Sequence, residues 1–295
     1  MLSILIPTYN YTIFDLVLEL KNQCDCLGIN YEIICQDDKS NSLYNIENEK
    51  INSLGNCQFN TNSENYGRAK NRNKLAENSK YEYLLFLDAD TFPIEKNFIS
   101  KYLSEINESA KIVYGGIRYT DKKPSNDKLL RWIYGKKREA LTVSQRNKNS
   151  YLSFLTLNFL IHKEVFKKVN FNESIPNLRH EDTLFSYELM KNNIPIKHIE
   201  NPVFHLGIDE FNSALKKEHE SLIALKNLFE NKLLPPEYLK ISNLYSKIRK
   251  YQIKLIILYS FKILKPLLLK NISSSKPSLF LFDIYRVGYM CSLKI

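Results

Sequence analysis

The stretch Tyr83-Leu84-Leu85-Phe86-Leu87-Asp88-Ala89-Asp90 decides how this chain folds. Five apolar residues in a row, with no polar alternation, read as a strand buried on both faces, the mark of a parallel sheet covered by helices. Two carboxylates one residue apart then stand at the carboxyl end of that strand, where open α/β sheets bind their ligands. Such a pair offers hard oxygen ligands to Mg²⁺ or Mn²⁺, cations that usually complete their shell with substrate phosphates. Acidic pairs that end strands are also often solvated turns, so the reading depends on what surrounds this one.

Working outward, the first half alternates strands with helices. Residues 3–6, 31–35 and 56–59 read as strands. Thr12 is placed to cap a helix carrying Ile13, Phe14, Val17 and Leu18, and residues 67–79 form a polar helix. That alternation predicts a mostly parallel sheet with helices on both faces. Residues 111–116 and 152–161 are expected as two further buried strands. The charged stretch 122–149 between them, which holds Trp132, is too long for a simple connection and predicts a functional loop with short helices of its own. Glu181-Asp182-Thr183 opens a helix with Leu184, Phe185, Tyr187 and Met190 on its apolar side. Residues 196–204 read as a last strand, ending at His205. Beyond Gly207 the pattern is helical, broken by Pro235-Pro236 and by Pro266. This predicts a first domain of residues 1–210 and a helical, basic extension of residues 211–295.

The 295 residues allow one large domain or two, and a composition 44% hydrophobic and 25% charged is that of a soluble globular protein. Eight glycines and no internal repeat argue against low complexity. Cys24, Cys26, Cys35, Cys57 and Cys291 show neither CxxC pairs nor zinc spacing, which predicts reduced thiols in a cytoplasm. The start, Met1-Leu2-Ser3-Ile4-Leu5-Ile6-Pro7, has no basic leader and stops being apolar too early for a secretory signal; it reads as the first strand.

Charge is unevenly distributed. Residues 239–295 contain eleven Lys and Arg and a single acid, Asp283, so they hold the whole net charge of +10. Asymmetry of this kind points to an anionic partner. Residues 254–270 are apolar with Lys254, Lys262, Lys265 and Lys270 interspersed, too interrupted for the roughly 20 apolar residues of a bilayer span. Two readings stand open: an interfacial helix on an anionic membrane, or a helix packed on the first domain with its lysines in water. Nucleic acid is disfavoured, because no reader motif accompanies the cations.

Four clusters fall at carboxyl ends of predicted strands: Pro7-Thr8-Tyr9-Asn10, Asp37-Asp38, Asp88-Ala89-Asp90 and His205. Between them, Asn65-Tyr66-Gly67-Arg68-Ala69-Lys70-Asn71-Arg72-Asn73 is a glycine-containing turn into a helix rich in cations, a combination that favours phosphate. In this order and spacing the motifs resemble those of the inverting glycosyltransferases of family 2, with the GT-A-type nucleotide-sugar-binding fold. The resemblance runs from Ser3 through Asp37-Asp38-Lys39-Ser40, Asn65-x-Gly67, Arg72-Asn73 and Leu87-Asp88-Ala89-Asp90 to Glu181-Asp182 and His205.

The resemblance implies a metal-dependent transfer from a nucleoside diphosphate sugar, UDP foremost, to a glycan or lipid-linked acceptor. Pro7, Thr8, Asn10, Asn65, Gly67, Ala89 and one of Asp37 or Asp38 would line the nucleotide, and Arg72 would face the diphosphate. Asp90 and His205, with Asp88 near the ribose and metal, would hold Mn²⁺ or Mg²⁺. Asp182, beside Glu181, would be the catalytic base, its pKa lowered by the helix N-terminus. Lys39 stands where the family often has a small residue and Asn71 where alanine is common. A membrane-linked acceptor would suit a peripheral protein on the inner face of the plasma membrane. The alternative of another class is a non-catalytic nucleotide-sugar-binding or membrane-associated assembly protein that kept the fold. Intact motifs favour the enzyme. A dinucleotide-dependent oxidoreductase is poorer still, since no GxGxxG follows the first strand.

Overall fold

In the computed structural model, which describes residues 1–106, 110–175 and 179–293, the apolar runs become the centre of a sheet. Lys294, counted above in the basic tail, lies outside those residues. The strands are β1 (Leu2–Thr8), β2 (Tyr31–Asp37), β3 (Cys57–Thr61), β4 (Tyr83–Leu87), β5 (Thr91–Pro93), β6 (Ile112–Tyr114), β7 (Ile117–Arg118), β8 (Asn158–His162), β9 (Lys197–His198) and β10 (Val203–His205). Among the described residues the larger sheet runs β3-β2-β1-β4-β8-β6-β9 and a smaller one runs β5-β10-β7.

Strands β1, β2 and β4, which end in three of the clusters, and β3, which leads to the Asn65–Asn73 turn, are parallel neighbours, so their carboxyl ends share one edge, whereas His205 ends β10 in the smaller sheet. Strand β8 runs antiparallel to both β4 and β6, which gives the mixed sheet. Burial explains the central positions: Leu2, Ile4, Leu5 and Ile6 of β1 and Leu84 to Leu87 of β4 are fully enclosed. Phe86 stacks on Phe159 (ring centroids 4.9 Å apart) and Phe171 on Phe185 (4.4 Å). Phe185 lies on the helix Glu181–Lys191, whose Leu184 and Leu189 are buried as well. The core thus fixes the helix that presents Asp182.

Some expectations need correction. Thr12 does not cap the first helix: Phe14–Leu27 starts from Ile13 with no side-chain cap. Instead Asn48 accepts from the Ile13 N–H (2.9 Å) and donates to the Tyr11 carbonyl (2.9 Å), so a distant side chain holds that turn. Residues 152–161 form a strand only from Asn158. Residues 196–204 are not one strand but two short ones in different sheets, β9 beside β6 and β10 between β5 and β7. Pro266 sits inside the continuous helix Lys254–Ile272 rather than breaking it. Its missing N–H orphans a carbonyl, but Pro266 and Lys262 are both exposed, where water serves.

The chain forms two compact units. One comprises Met1–Tyr119, Glu139–Asn177 and Glu181–Gly207; the other comprises Thr120–Arg138, Leu178–His180 and Ile208–Ile295. The second unit has its own core of Leu130, Phe261, Leu268, Ile272, Phe282 and Tyr285. Arg138 grips Asp283 with both guanidinium nitrogens (2.8 and 2.5 Å), and Arg286 donates to Glu218 (2.5 Å). Leu130 and Arg138 tie the helix Leu129–Arg138, within the long charged stretch, to the C-terminal helices. The five cysteines are all free.

His198 is a structural histidine. It is buried in the first unit, edge-on to Tyr114, with Nε2 paired to the Ser150 carbonyl (3.0 Å). Burial, with the Arg146 charge beside it, pushes its pKa down to about 4. A histidine held neutral contributes stability that is complete above its unfolded pKa near 6.5 and is lost as pH falls towards about 4. Between pH 7.5 and 4.5, wild type is therefore expected to lose on the order of 2 kcal/mol more than His198→Gln. Parallel pH dependence of the two in urea unfolding would refute this.

Candidate functional site

The parallel register sets Thr8 beside Asp37, and the Asp38 N–H donates to the Thr8 carbonyl (2.9 Å). The two aspartates then take different tasks. Asp38 accepts from the N–H groups of Tyr66 and Gly67 (both 2.8 Å) and from Asn62 (2.9 Å). Both its oxygens are engaged in pinning the loop that leads into the helix Arg68–Asn78. Asp37 is fully buried; Oδ2 accepts from the Ser40 N–H (3.0 Å) and Asn45 (3.1 Å), while Oδ1 has no hydrogen-bond partner. Of the two, Asp37 retains an oxygen able to accept from a ligand.

The neighbours behave as the local backbone requires. Asn10 is left-handed (φ 52°) and its side chain accepts from Ser42 (2.8 Å). Lys39 is also left-handed (φ 59°), which explains a preference for glycine at such a position. Gly67, at φ 82° and ψ 169°, precedes the helix in a conformation that is essentially glycine's own. Asn71 is a structural link, donating to the Gln36 carbonyl (3.1 Å) and accepting from Asn62 (3.0 Å). Pro7 is half-buried within β1, and Asn65 is exposed on the loop.

Arg72 was expected to face a diphosphate, but its guanidinium is engaged by protein. It donates to Asp88 Oδ1 (2.7 Å) and Glu181 Oε1 (3.3 Å), and lies over the Phe171 ring at 5.4 Å. Burial works against its charge, yet the two carboxylates outweigh that and raise its pKa. Arg68 also approaches Glu181, at 3.7 Å. The sequence showed the cation and the two acids but not their pairing, because the partners stand 16 and 109 residues away.

The pKa of Asp182 moves against expectation. Burial, reinforced by the adjacent Glu181, raises its pKa; the Thr183 N–H, Arg72 and Arg68 only partly offset this. The helix N-terminus does contribute, as the Thr183 N–H donates to Oδ1 (2.7 Å), but desolvation wins. Asp88 is raised likewise by burial, with Asp90 adding to the shift and Arg72 opposing it.

Ala89 and Asp90 occupy a tight turn closed by the Thr91 N–H on the Asp88 carbonyl (3.1 Å). Antiparallel pairing then sets Thr91 against His205. The Leu206 N–H donates to the Asp90 carbonyl (2.8 Å), and His205 Nε2 lies 3.4 Å from Asp90 Oδ2. A side chain at Gly207 would collide with this carboxylate, a Cβ there falling 2.1 Å from Oδ2. Among the described residues no group of three His, Cys, Asp or Glu forms a metal cage. One carboxylate and one imidazole nevertheless fit a divalent cation whose shell is completed by phosphate oxygens and water. Tyr11, which the sequence did not single out, lies near this pair: burial raises its pKa and Asp90 adds to the shift.

Comparison with known proteins agrees with the fold. The profile described as "Glycosyl transferase family 2" matches residues 3–169. A Haemophilus influenzae protein described as an uncharacterized glycosyltransferase is 26% identical over 198 residues, 65% of this chain and 72% of that protein. The S. aureus TarS 1–349 crystal structure aligns over 98% of this chain and 89% of its own, with a TM-score of 0.50 and 17% identity. Its complex with UDP-GlcNAc aligns with a TM-score of 0.52 and 16% identity. At these identities the likeness to the solved structures is one of fold.

Proposed function

Because the chain belongs to glycosyl transferase family 2, we propose that it moves a sugar from a UDP-sugar to a hydroxyl of a glycan or lipid-linked acceptor in surface-glycan or polysaccharide synthesis, with inversion at the anomeric carbon. The catalytic domain is assigned to residues 1–210, within which Thr120–Arg138 belongs to the same compact unit as the helical extension of residues 211–295. That the similarly folded TarS has been crystallised with UDP and with UDP-GlcNAc supports the choice of nucleotide.

The observation that carries this reading is the Arg72 guanidinium, which links Asp88 at the end of β4 to Glu181 beside Asp182. One side chain thereby couples the nucleotide end of the site to its basic end. Thr8 and Asn10 are assigned to the nucleoside, and the Asp37 Oδ1 to the imide N–H of uracil. Asp90 and His205 would hold Mn²⁺ or Mg²⁺, with Asp88 near the ribose. When bound, the cation would neutralise the charge that gathers on the departing diphosphate.

Asp182 takes the proton of the acceptor hydroxyl. Thr183 engages Oδ1, so Oδ2 is assigned as the receiving atom. A carboxylate whose pKa is raised is a stronger base at neutral pH than an ordinary one. Attack opposite the leaving group then gives inversion in one displacement, as water does in inverting hydrolases.

A screen of nucleotide sugars with Mn²⁺, scored by nucleotide release, tests the reaction; no release from any donor would sink it. Asp90→Ala tests the cation assignment separately. In calorimetry it is expected to weaken Mn²⁺-supported UDP binding at least about tenfold, since even outer-shell partners of a metal are worth roughly 10–100-fold in affinity, and to leave metal-free binding unchanged. Equal weakening with and without Mn²⁺ would reassign Asp90 to the nucleotide.

A further inference from the structure

No helix among the described residues is long and apolar enough to cross a membrane. The helix Lys254–Ile272 nevertheless turns large apolar side chains outward. Leu255, Ile256, Tyr259, Ile263 and Leu267 are 63, 65, 62, 76 and 66% exposed. At about 100° per residue they fall within an arc of about 120° on one side of the helix. Phe261, Leu268 and Ile272 occupy the other side and are buried in the second unit's core. This helix therefore has two apolar faces, one covered and one bare. Scattered surface leucines are ordinary, but a contiguous stripe marks an interaction surface.

Charge selects the occupant. Lys262, Lys265 and Lys270 are exposed on the same helix, and Lys247, Arg249 and Lys250 fall in the last turn of the preceding helix, Lys240–Lys250. A second copy docked on this stripe through a two-fold axis would bring two such lysine sets together. Nucleic acid would want cations along the middle of the stripe and finds Tyr259 and Ile263 there, with Lys270 only at its C-terminal end. An anionic lipid surface suits both features, because the stripe can enter the acyl boundary while the lysines reach headgroup phosphates.

We propose that the face formed by Leu255, Ile256, Tyr259, Ile263 and Leu267 inserts into the interface of an anionic membrane, holding the helix parallel to the surface. The proposal stands apart from the transfer reaction, since neither its argument nor its test involves the donor site.

The full-length protein is mixed with vesicles of phosphatidylcholine alone or with phosphatidylglycerol at one part in three, and the bound fraction is measured by flotation. Binding is expected on the anionic vesicles and at least tenfold weaker on the neutral ones, falling as salt rises. Ile256→Glu with Ile263→Glu, both at exposed positions, is expected to lower the partition coefficient at least tenfold with unchanged melting temperature. Lys262→Glu with Lys265→Glu should abolish the preference for anionic lipid. Ile263→Trp, compared with wild type, should give fluorescence that brominated acyl chains quench. The proposal is overturned by equal binding to both vesicles, by wild-type binding of the Ile256→Glu/Ile263→Glu protein, or by absence of quenching. It is overturned equally if light scattering finds a dimer in lipid-free solution that the double substitution dissociates.

Discussion

Asp182→Asn is expected to lower kcat/KM by about 10²–10⁴-fold, the usual contribution of a general base. The amide keeps an oxygen for the Thr183 N–H, so the helix start is preserved and the melting temperature should barely change. UDP affinity should also hold, because the proposed role of Asp182 is on the acceptor hydroxyl. Initial rates of nucleotide release with acceptor present, together with calorimetric UDP titration, test both halves. Activity within tenfold of wild type would remove Asp182 from the base position. Glu181→Gln separates the two acids: Glu181 is held by Arg72 and Arg68, so its loss should disturb stability first and rate second. The pH profile adds a sign. Burial and Glu181 raise the Asp182 pKa, so activity should be lost on acidification at a higher pH than an ordinary aspartate near 3.9 would give. An acid limb at or below that value contradicts the assignment.

The second large effect is at Arg72. Its side chain is 5% exposed, that of Glu181 11% and that of Asp88 30%, so the central charges are poorly solvated. Arg72→Ala leaves two carboxylates without their shared cation, and breaking a buried pair from one side costs about 3–5 kcal/mol. A fall in melting temperature of at least about 6 °C is the expected readout. Arg72→Lys should recover part of the stability but little activity, because an ammonium is a point charge and cannot bridge two carboxylates as a planar fork does. Direct contact with the diphosphate makes the opposite forecast, weakened UDP binding with stability intact. Finding that pattern would return Arg72 to the phosphate.

Much of the parallel half of the sheet was legible in advance, and the reason is local. Runs such as Leu84 to Leu87 are apolar because both faces of the strand are covered, and that burial is written residue by residue. Motifs follow such strands directly, so Asp37, Asp88 and Asp90 could be assigned to strand ends without knowing which strands pair. The antiparallel direction of β8 was not readable, since a buried strand has the same composition whichever way it runs. Nor was the split of residues 196–204 into β9 and β10, where Glu200, Asn201 and Pro202 interrupt the apolar pattern and pairing partners decide the rest.

The contrast is sharpest among the charged residues. From the chain alone follow the α/β class, the family, the strand ends at which the acidic motifs stand, and the concentration of positive charge in the last fifth of the chain. Folding alone assigned the partners. Register between β5 and β10 carried His205 to Asp90 across more than a hundred residues, and helix packing brought Arg72 between Asp88 and Glu181. It also divided Asp37 from Asp38, two adjacent and identical side chains, by giving one the backbone of a loop and leaving the other an oxygen unpaired. Pairing and desolvation depend on distances through space, whereas periodicity along the chain reports only which side of a strand or helix is covered.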